Sequence, residues 1–391
     1  MKRIRKILSA ILLCLVCFLP VHAEEIDLSD LVSTYALVIG EDTGEVLAAK
    51  NANVRMHPAS MTKVMTAIVA IEALPDLEER IPMTPQVFET LVEENASVAG
   101  FSMYENPTVR DLLYGVALPS GADACRALAL RVAGSIDAYV GMMNSKAQEL
   151  GMYDTHFVNV TGITDPDHLT TCSDLAVLLH YCLQNDTFRE IFSTRSYVTE
   201  PLAAHPDGLA MYSTYWTAIS RYRIDADGLI GGKTGYTGSA GHCFCGWAEV
   251  NGMKLLLVTA HADTAYELPT HMEDVSRILR KLRDWQYTSL VEEGQEIYSL
   301  SVHMARSADT VVKVLSDHST AMYLPIGTEF TEYLDLPQEA EASWRPRQLD
   351  GTYEIYLGES LVSRQDIHVE VPRDSYWKKR VILRIEDAYQ N

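Results

Sequence analysis

The sequence predicts an α+β protein: an antiparallel sheet packed with helices over residues 30–290, followed by a small all-β domain over residues 293–391. Three observations lead there. Strand hairpins sit at both ends of the first region, apolar residues recur at helical spacing between them, and from about residue 293 the texture shortens to alternating segments such as TVVKVLS, TEYLDL, GTYEIYL and RVILRI separated by turn residues.

Taken in order, residues 1–23 read as a secretory signal peptide. Lys2, Arg3, Arg5 and Lys6 form a basic start, an apolar run extends from Ile7 to Pro20, and Val21-His22-Ala23 offers a small-x-small cleavage site. The run is shorter than the roughly 18 residues of a spanning helix, and left uncleaved it would act as an N-terminal anchor giving peripheral membrane association. Residues 34–52 alternate about Asp42-Thr43-Gly44 as a hairpin. A proline-led helix follows from Ala59 to Leu74. Thr108 caps a short helix carrying Val109, Leu112, Leu113 and Val116; Pro119 and Ser120 break it; a second helix runs from Ala122 to Val132. The next starts near Ser135 and stops at Gly151, and another, capped by Ser173, carries Leu175, Leu178, Leu179 and Cys182. Strands then flank Asn251-Gly252, a type I′ hairpin signal, and a helix with Val275, Ile278, Leu279 and Leu282 closes the region.

Without residues 1–23 the chain has 28 Lys and Arg against 53 Asp and Glu, a formal charge of −25. Such a surface repels nucleic acid and anionic headgroups, so no nucleic-acid partner is expected. Of seven cysteines, five lie beyond the signal segment, too few for a disulfide scaffold in so long a chain. Cys243 and Cys245 beside His242 raise a metal reading, but no second cysteine pair completes it; they are expected to be buried thiols, with no metal and no cofactor.

Three short patterns carry chemistry together. Ser60 and Lys63 stand three apart at the start of a helix, so both face the same way. Ser120 lies in a break between helices, and Lys233-Thr234-Gly235 heads a strand. A serine hydroxyl is a poor nucleophile until a base takes its proton, and a lysine serves only if its pKa is driven well below about 10.4. Burial, the positive end of a helix and a second lysine nearby all disfavour the ammonium. Ser375 and Lys378 share the spacing of Ser60 and Lys63, but no apolar helical period surrounds them, and they read as a solvated strand pair.

With its flanking segments the chain resembles the serine D-alanyl-D-alanine carboxypeptidases, the low-molecular-mass penicillin-binding proteins. The resemblance runs through VIGEDTGEVLAAKNANVRMHPASMTKVMTAIVA, MNSKAQELGMYDTHFVNVTGITDPDH and GGKTGYTGSAGHCF, and covers about residues 30–290. It implies a penicillin-binding-protein/β-lactamase-like domain followed by a β-rich one. It further implies that Ser60 attacks the carbonyl between two D-alanines of a peptidoglycan stem peptide, Lys63 accepts its proton and Ser120 passes a proton to the leaving amine. Backbone N–H groups of Ser60 and Tyr236 would form the oxyanion hole. Lys233, Thr234 and Gly235 with Tyr236 would bind substrate, Lys233 and Thr234 holding its terminal carboxylate. β-Lactam antibiotics would inhibit by acylating Ser60, and the protein would act outside the cytoplasmic membrane, on the cell-wall side. Asn159 and His168 read as braces of a loop.

The fit departs at one place. Ser120-Gly121-Ala122 stands where the family has Ser-x-Asn, which removes a side-chain amide, and Asp123 does not obviously replace it. Arg221 and Arg223 are the arginines nearest in sequence for the carboxylate. A β-lactamase remains an alternative, though no E-x-x-L-N segment supplies a deacylating glutamate; so does a binding module with a weakened site. Ser60→Ala is expected to abolish covalent labelling by a fluorescent penicillin, and Ser375→Ala to leave it intact. Labelling that survives in Ser60→Ala protein would exclude Ser60 as nucleophile.

Overall fold

The computed structural model describes residues 26–92, 94–262, 268–303, 310–341 and 347–371. Residues 1–23, Ser375 with Lys378, and the expected strand RVILRI lie outside them. The described residues fall into two compact units divided in sequence at Tyr287 and Thr288.

In the first unit, β1 (Tyr35–Gly40) and β2 (Val46–Lys50) form the opening hairpin, and a 3-10 turn over Ala59–Thr62 leads into α1 (Lys63–Ala73). Helices α2 (Pro85–Phe88), α3 (Val109–Ala117), α4 (Ala122–Ala133), α5 (Ile136–Glu149), α6 (Cys172–Cys182) and α7 (Asp186–Ser193) follow. A small hairpin, β3 (Ser196–Val198) with β4 (Ala210–Tyr212), precedes α8 (Thr214–Tyr222). Then come β5 (Leu229–Thr237), β6 (Gly241–Val250), β7 (Met253–Ala262) and α9 (Thr270–Leu282). The sheet has order β2-β1-β7-β6-β5 and is antiparallel throughout. The opening hairpin therefore adds to the closing one through β1 and β7, and β5 is left at an edge.

Alternation along the central strands divides the core. Cys243, Cys245 and Trp247 of β6 and Leu256, Val258 and Ala260 of β7 join the core built by α1 and α3–α7. Phe244, Leu255 and Leu257, equally buried, face the other way, where the ring of Tyr215 from α8 meets Phe244 edge-on at 5.9 Å and α9 packs on β6 and β7. The two cysteines are buried thiols, each held protonated because burial pushes its pKa up to about 12.

Local signals set the helix ends. Thr108 and Asp111 form a reciprocal capping box at α3, with bonds of 3.0 and 2.9 Å, and Ser135 caps α5. At α6 the expected cap, Ser173, is displaced by Thr171, whose hydroxyl accepts from Asp174 N at 3.0 Å. Thr170 is still bridged to Met56 in extended conformation, so the helix can start only after it. Ser173 bonds instead to Asn53 at 2.6 Å. Between β6 and β7, Asn251 and Gly252 have φ of 50° and 77°, the left-handed pair that a type I′ turn needs.

The second unit holds β8 (Trp285–Val291), which runs across the boundary, β9 (Glu296–His303), β10 (Thr310–Leu315), β11 (Thr320–Pro325), β12 (Thr331–Asp335), β13 (Glu339–Glu341), β14 (Arg347–Leu357) and β15 (Ser360–Val371). They pair as β10-β9-β13, β11-β8 and β12-β14-β15 over a core that includes Leu300, Val314, Tyr353, Ile355 and Ile367.

One buried carboxylate ties the start of the first unit to its last helix. Asp274 of α9 accepts from Ser33 N and Oγ, both at 2.7 Å, from Val32 N at 3.2 Å and from Arg277 at 2.6 Å, with its side chain fully enclosed. Removing one partner of such a buried set leaves the rest unpaired. Asp274→Ala is expected to lower the unfolding free energy by about 3 kcal/mol, read from urea denaturation; a loss below about 1 kcal/mol would mean that water replaces the carboxylate.

Candidate active site

Ser60 lies in the 3-10 turn, one residue after Ala59, which has a φ of 47° that few non-glycine residues adopt. Three residues on, Lys63 opens α1 and is 2% exposed. Its Nζ is 2.8 Å from Ser60 Oγ and donates to the carbonyl of Thr161 at 2.6 Å. Burial holds the lysine pKa below its usual value, while Cys125 and Asp123 nearby pull the other way. Burial in turn keeps the Cys125 thiol neutral, its pKa pushed up to about 11. Burial thus loosens the amine's hold on its proton, beside a hydroxyl and with one N–H satisfied by a carbonyl.

The Thr161 carbonyl was not legible as part of this group, although it lies in the NVTGITDPDH segment. Asn159 holds the loop by accepting from Thr161 N at 3.1 Å and Gly162 N at 2.7 Å and donating to Ile163 O at 2.9 Å. His168 accepts from Val158 N through Nδ1 at 3.1 Å, so its Nε2 carries the proton and donates to Thr62 at 2.8 Å. Burial pushes its pKa down to about 4, and it stays neutral as a brace. Gly162 has a φ of 85°, and a Cβ on it would sit 1.8 Å from the Ala59 carbonyl oxygen. That glycine is the signal for how closely this loop lies on the turn that carries Ser60.

The Lys-Thr-Gly segment arrives on edge strand β5. Lys233 is fully buried, donates to the Thr234 carbonyl at 2.9 Å, and has its pKa brought down to about 7 by burial and then by the charge of Lys63. Gly235 lies two residues on, on the same face, and a Cβ there would come 2.9 Å from Ser60 N and 3.0 Å from Ala59 Cβ. The strand thus reaches the Ser60 backbone only because residue 235 has no side chain. Thr234, on the opposite face, shares a 2.6 Å hydrogen bond with Thr214 of α8, a partner the sequence did not reveal.

A cleft of about 480 Å³ opens beside Ser60 and Lys63, with Ala122, Thr161, Tyr236 and Thr237 among its lining residues. Ser120, Lys233, Thr234 and Gly235 do not line it. Ser120 is buried at a φ of 66°, and among the described residues its hydroxyl has no partner. Asp123 points away from the reacting groups, accepting from the N–H groups of Ala99 (2.7 Å), Gly100 (3.1 Å), Phe101 (3.3 Å) and Ala124 (3.0 Å). Arg221 lines a separate groove with Arg195 and Trp216, and Arg223 ends α8 at a φ of 54°; neither borders this cleft.

The model of peptidase family S11, D-alanyl-D-alanine carboxypeptidase, matches residues 21–264. The chain belongs to the D-alanyl-D-alanine carboxypeptidase family. It is 35% identical over 237 residues to the D-alanyl-D-alanine carboxypeptidase DacF of Bacillus subtilis, a match spanning 59% of this chain and 58% of that protein. The D-alanyl-D-alanine carboxypeptidase of Streptomyces sp. K15 is 30% identical over 255 residues, 63% of this chain and 85% of that one. In fold, the chain is similar to penicillin binding protein 5 of Haemophilus influenzae, with a TM-score of 0.63 and 21% identity over 89% of this chain and 99% of that one.

In this carboxypeptidase-family chain the contact between Gly235 and Ser60 yields a direct test. Gly235→Ala is expected to slow acylation by penicillin at least about tenfold, through displacement of Ser60 by a few tenths of an ångström, with the fold kept. Stopped-flow acylation with a circular dichroism control measures it. An unchanged rate would show that the strand can withdraw without consequence.

Proposed function

We propose that the protein is a serine-type D-alanyl-D-alanine carboxypeptidase that removes the terminal D-alanine from peptidoglycan stem peptides through an acyl-enzyme on Ser60. The observation that carries this is the buried, pKa-depressed amine of Lys63 at 2.8 Å from the Ser60 hydroxyl. Ser60 Oγ attacks the penultimate carbonyl as its proton passes to Lys63. The oxyanion is received by the N–H groups of Ser60 and Tyr236. Ser120 relays a proton to the departing D-alanine amine, the C–N bond breaks, and water later cleaves the ester to regenerate Ser60.

Substrate binding follows from the sheet edge. A peptide laid along the outer side of β5 pairs as an added strand. The Lys-Thr-Gly pattern assigns its terminal carboxylate to Lys233 and Thr234, although Lys233 is fully buried and neither side chain lines the cleft. The Ser60–Lys63 contact supports an enzyme rather than a binding module. The lifetime of the acyl adduct separates a carboxypeptidase from a β-lactamase, since a β-lactamase hydrolyses its β-lactam adduct rapidly. The family works on the cell wall. For this chain the export-like segment at residues 1–23 supports action outside the cytoplasmic membrane, with peripheral association if the segment is retained. Among the described residues no helix is long and apolar enough to cross a membrane.

Two lysines with lowered pKa values give the pH profile a defined shape. Lys63 must be neutral to act, so kcat/KM falls on the acidic side as it gains a proton, at a pH below that of a free lysine. Lys233 must be charged to hold a carboxylate, so kcat/KM falls on the alkaline side from about pH 7. Lys233→Arg is expected to remove the alkaline limb, because a guanidinium stays charged. Lys63→Arg is expected to abolish acylation as fully as Lys63→Ala. If the Lys63→Arg protein is acylated at close to the parent rate, the base is another group.

A further inference from the structure

We infer that Asn95 is the residue across the cleft that recognises the substrate's peptide group, in the place left bare by Ala122. This rests on the carboxypeptidase reading and adds to it a specificity-determining residue. A peptide paired along β5 turns its remaining N–H and C=O groups toward the opposite wall, and burying them without partners is unfavourable. On that wall Ala122 presents a methyl group, its own N–H is engaged by the Ser97 carbonyl at 2.7 Å, and the Asp123 carboxylate is consumed by four backbone N–H groups.

The same two contacts clamp the segment around residues 95–101 onto the start of α4, and so bring Asn95 to the cleft wall that also holds Ala122. Asn95 closes a turn in which Glu94 N bonds Thr90 O at 2.9 Å, Asn95 N bonds Val92 O at 3.1 Å and Ala96 N bonds Leu91 O at 3.1 Å. Its φ is 49°, which asparagine tolerates better than most residues. Among the described residues its carboxamide makes no hydrogen bond and is available to the cleft. Glu94 beside it is engaged by the Thr90 hydroxyl at 2.6 Å. Ser97 adds a hydroxyl to the wall, but a carboxamide alone offers a donor and an acceptor in one plane, which is what a peptide group requires.

Asn95→Gly keeps the left-handed turn and deletes the amide, so it separates recognition from folding. Acylation rates are measured for the parent and Asn95→Gly proteins with two β-lactams, benzylpenicillin, which carries a side-chain amide, and 6-aminopenicillanic acid, which has none. The parent is expected to react with both. Asn95→Gly is expected to lose about tenfold with benzylpenicillin and with a D-alanyl-D-alanine peptide, the worth of about one hydrogen bond, and little with 6-aminopenicillanic acid. Adding Ala122→Asn should restore the amide-dependent part. An unchanged ratio between the two β-lactams, an equal loss on both, or a shift in the ratio with Ser97→Ala but not Asn95→Gly would each overturn the inference while leaving the carboxypeptidase reading standing. A parent protein acylated by neither compound would overturn that reading, and this one with it.

Discussion

The site depends on one unfavourable act, the burial of the Lys63 amine. An exposed lysine would carry a proton at neutral pH and leave Ser60 inert. Enclosing it between the Ser60 hydroxyl and the Thr161 carbonyl removes the water that would stabilise the charge, while the carbonyl still satisfies one N–H. The rest of the first unit serves that enclosure. The helices of the large core surround α1, Asn159 and His168 hold the loop that supplies the carbonyl, and β5 packs against the turn that carries Ser60.

Lys233 shows how much the fold gives up for such an arrangement. A lysine brought from 10.5 to about 7 destabilises the folded state by roughly 4 kcal/mol at neutral pH. The sign follows from the unfolded chain holding its proton up to about pH 10.5: the cost grows as pH falls from there to 7 and is constant below. A sum of that order is comparable with the net stability of a domain, and it is offset by packing elsewhere. Asp123 and Asp274 represent the opposite strategy. Asp123 gathers backbone N–H groups, whereas Asp274 takes two of them together with a serine hydroxyl and a guanidinium, so that each buried charge organises a distant stretch of chain instead of remaining reactive.

Close backbone approaches do the positioning. Gly235 lets the strand touch the Ser60 N–H and Gly162 lets the loop touch the Ala59 carbonyl, and in both places a methyl group would not fit without a shift. These contacts join segments about 100 and 175 residues apart in sequence. No local propensity encodes that neighbourhood. The same limit explains the shifted cap at α6, where three hydroxyl-bearing residues in four satisfied the local rule and the bridge between Met56 and Thr170 selected Thr171.

The sequence by itself determined the architecture of the first unit and the close pairing of Ser60 with Lys63. Alternation and helical period report which face of an element must leave water, and the spacing of Ser60 and Lys63 places both on one side of one helix whatever surrounds them. Thr108, Ser135 and Asn251-Gly252 acted where they stand for the same reason, because caps and turns are made by neighbours in the chain. Only the tertiary structure decided that burial lowers the Lys63 pKa, that Asp123 is turned away from the cleft and that Asn95 is on its wall, because burial, partner choice and pKa depend on groups that folding brings together from remote segments.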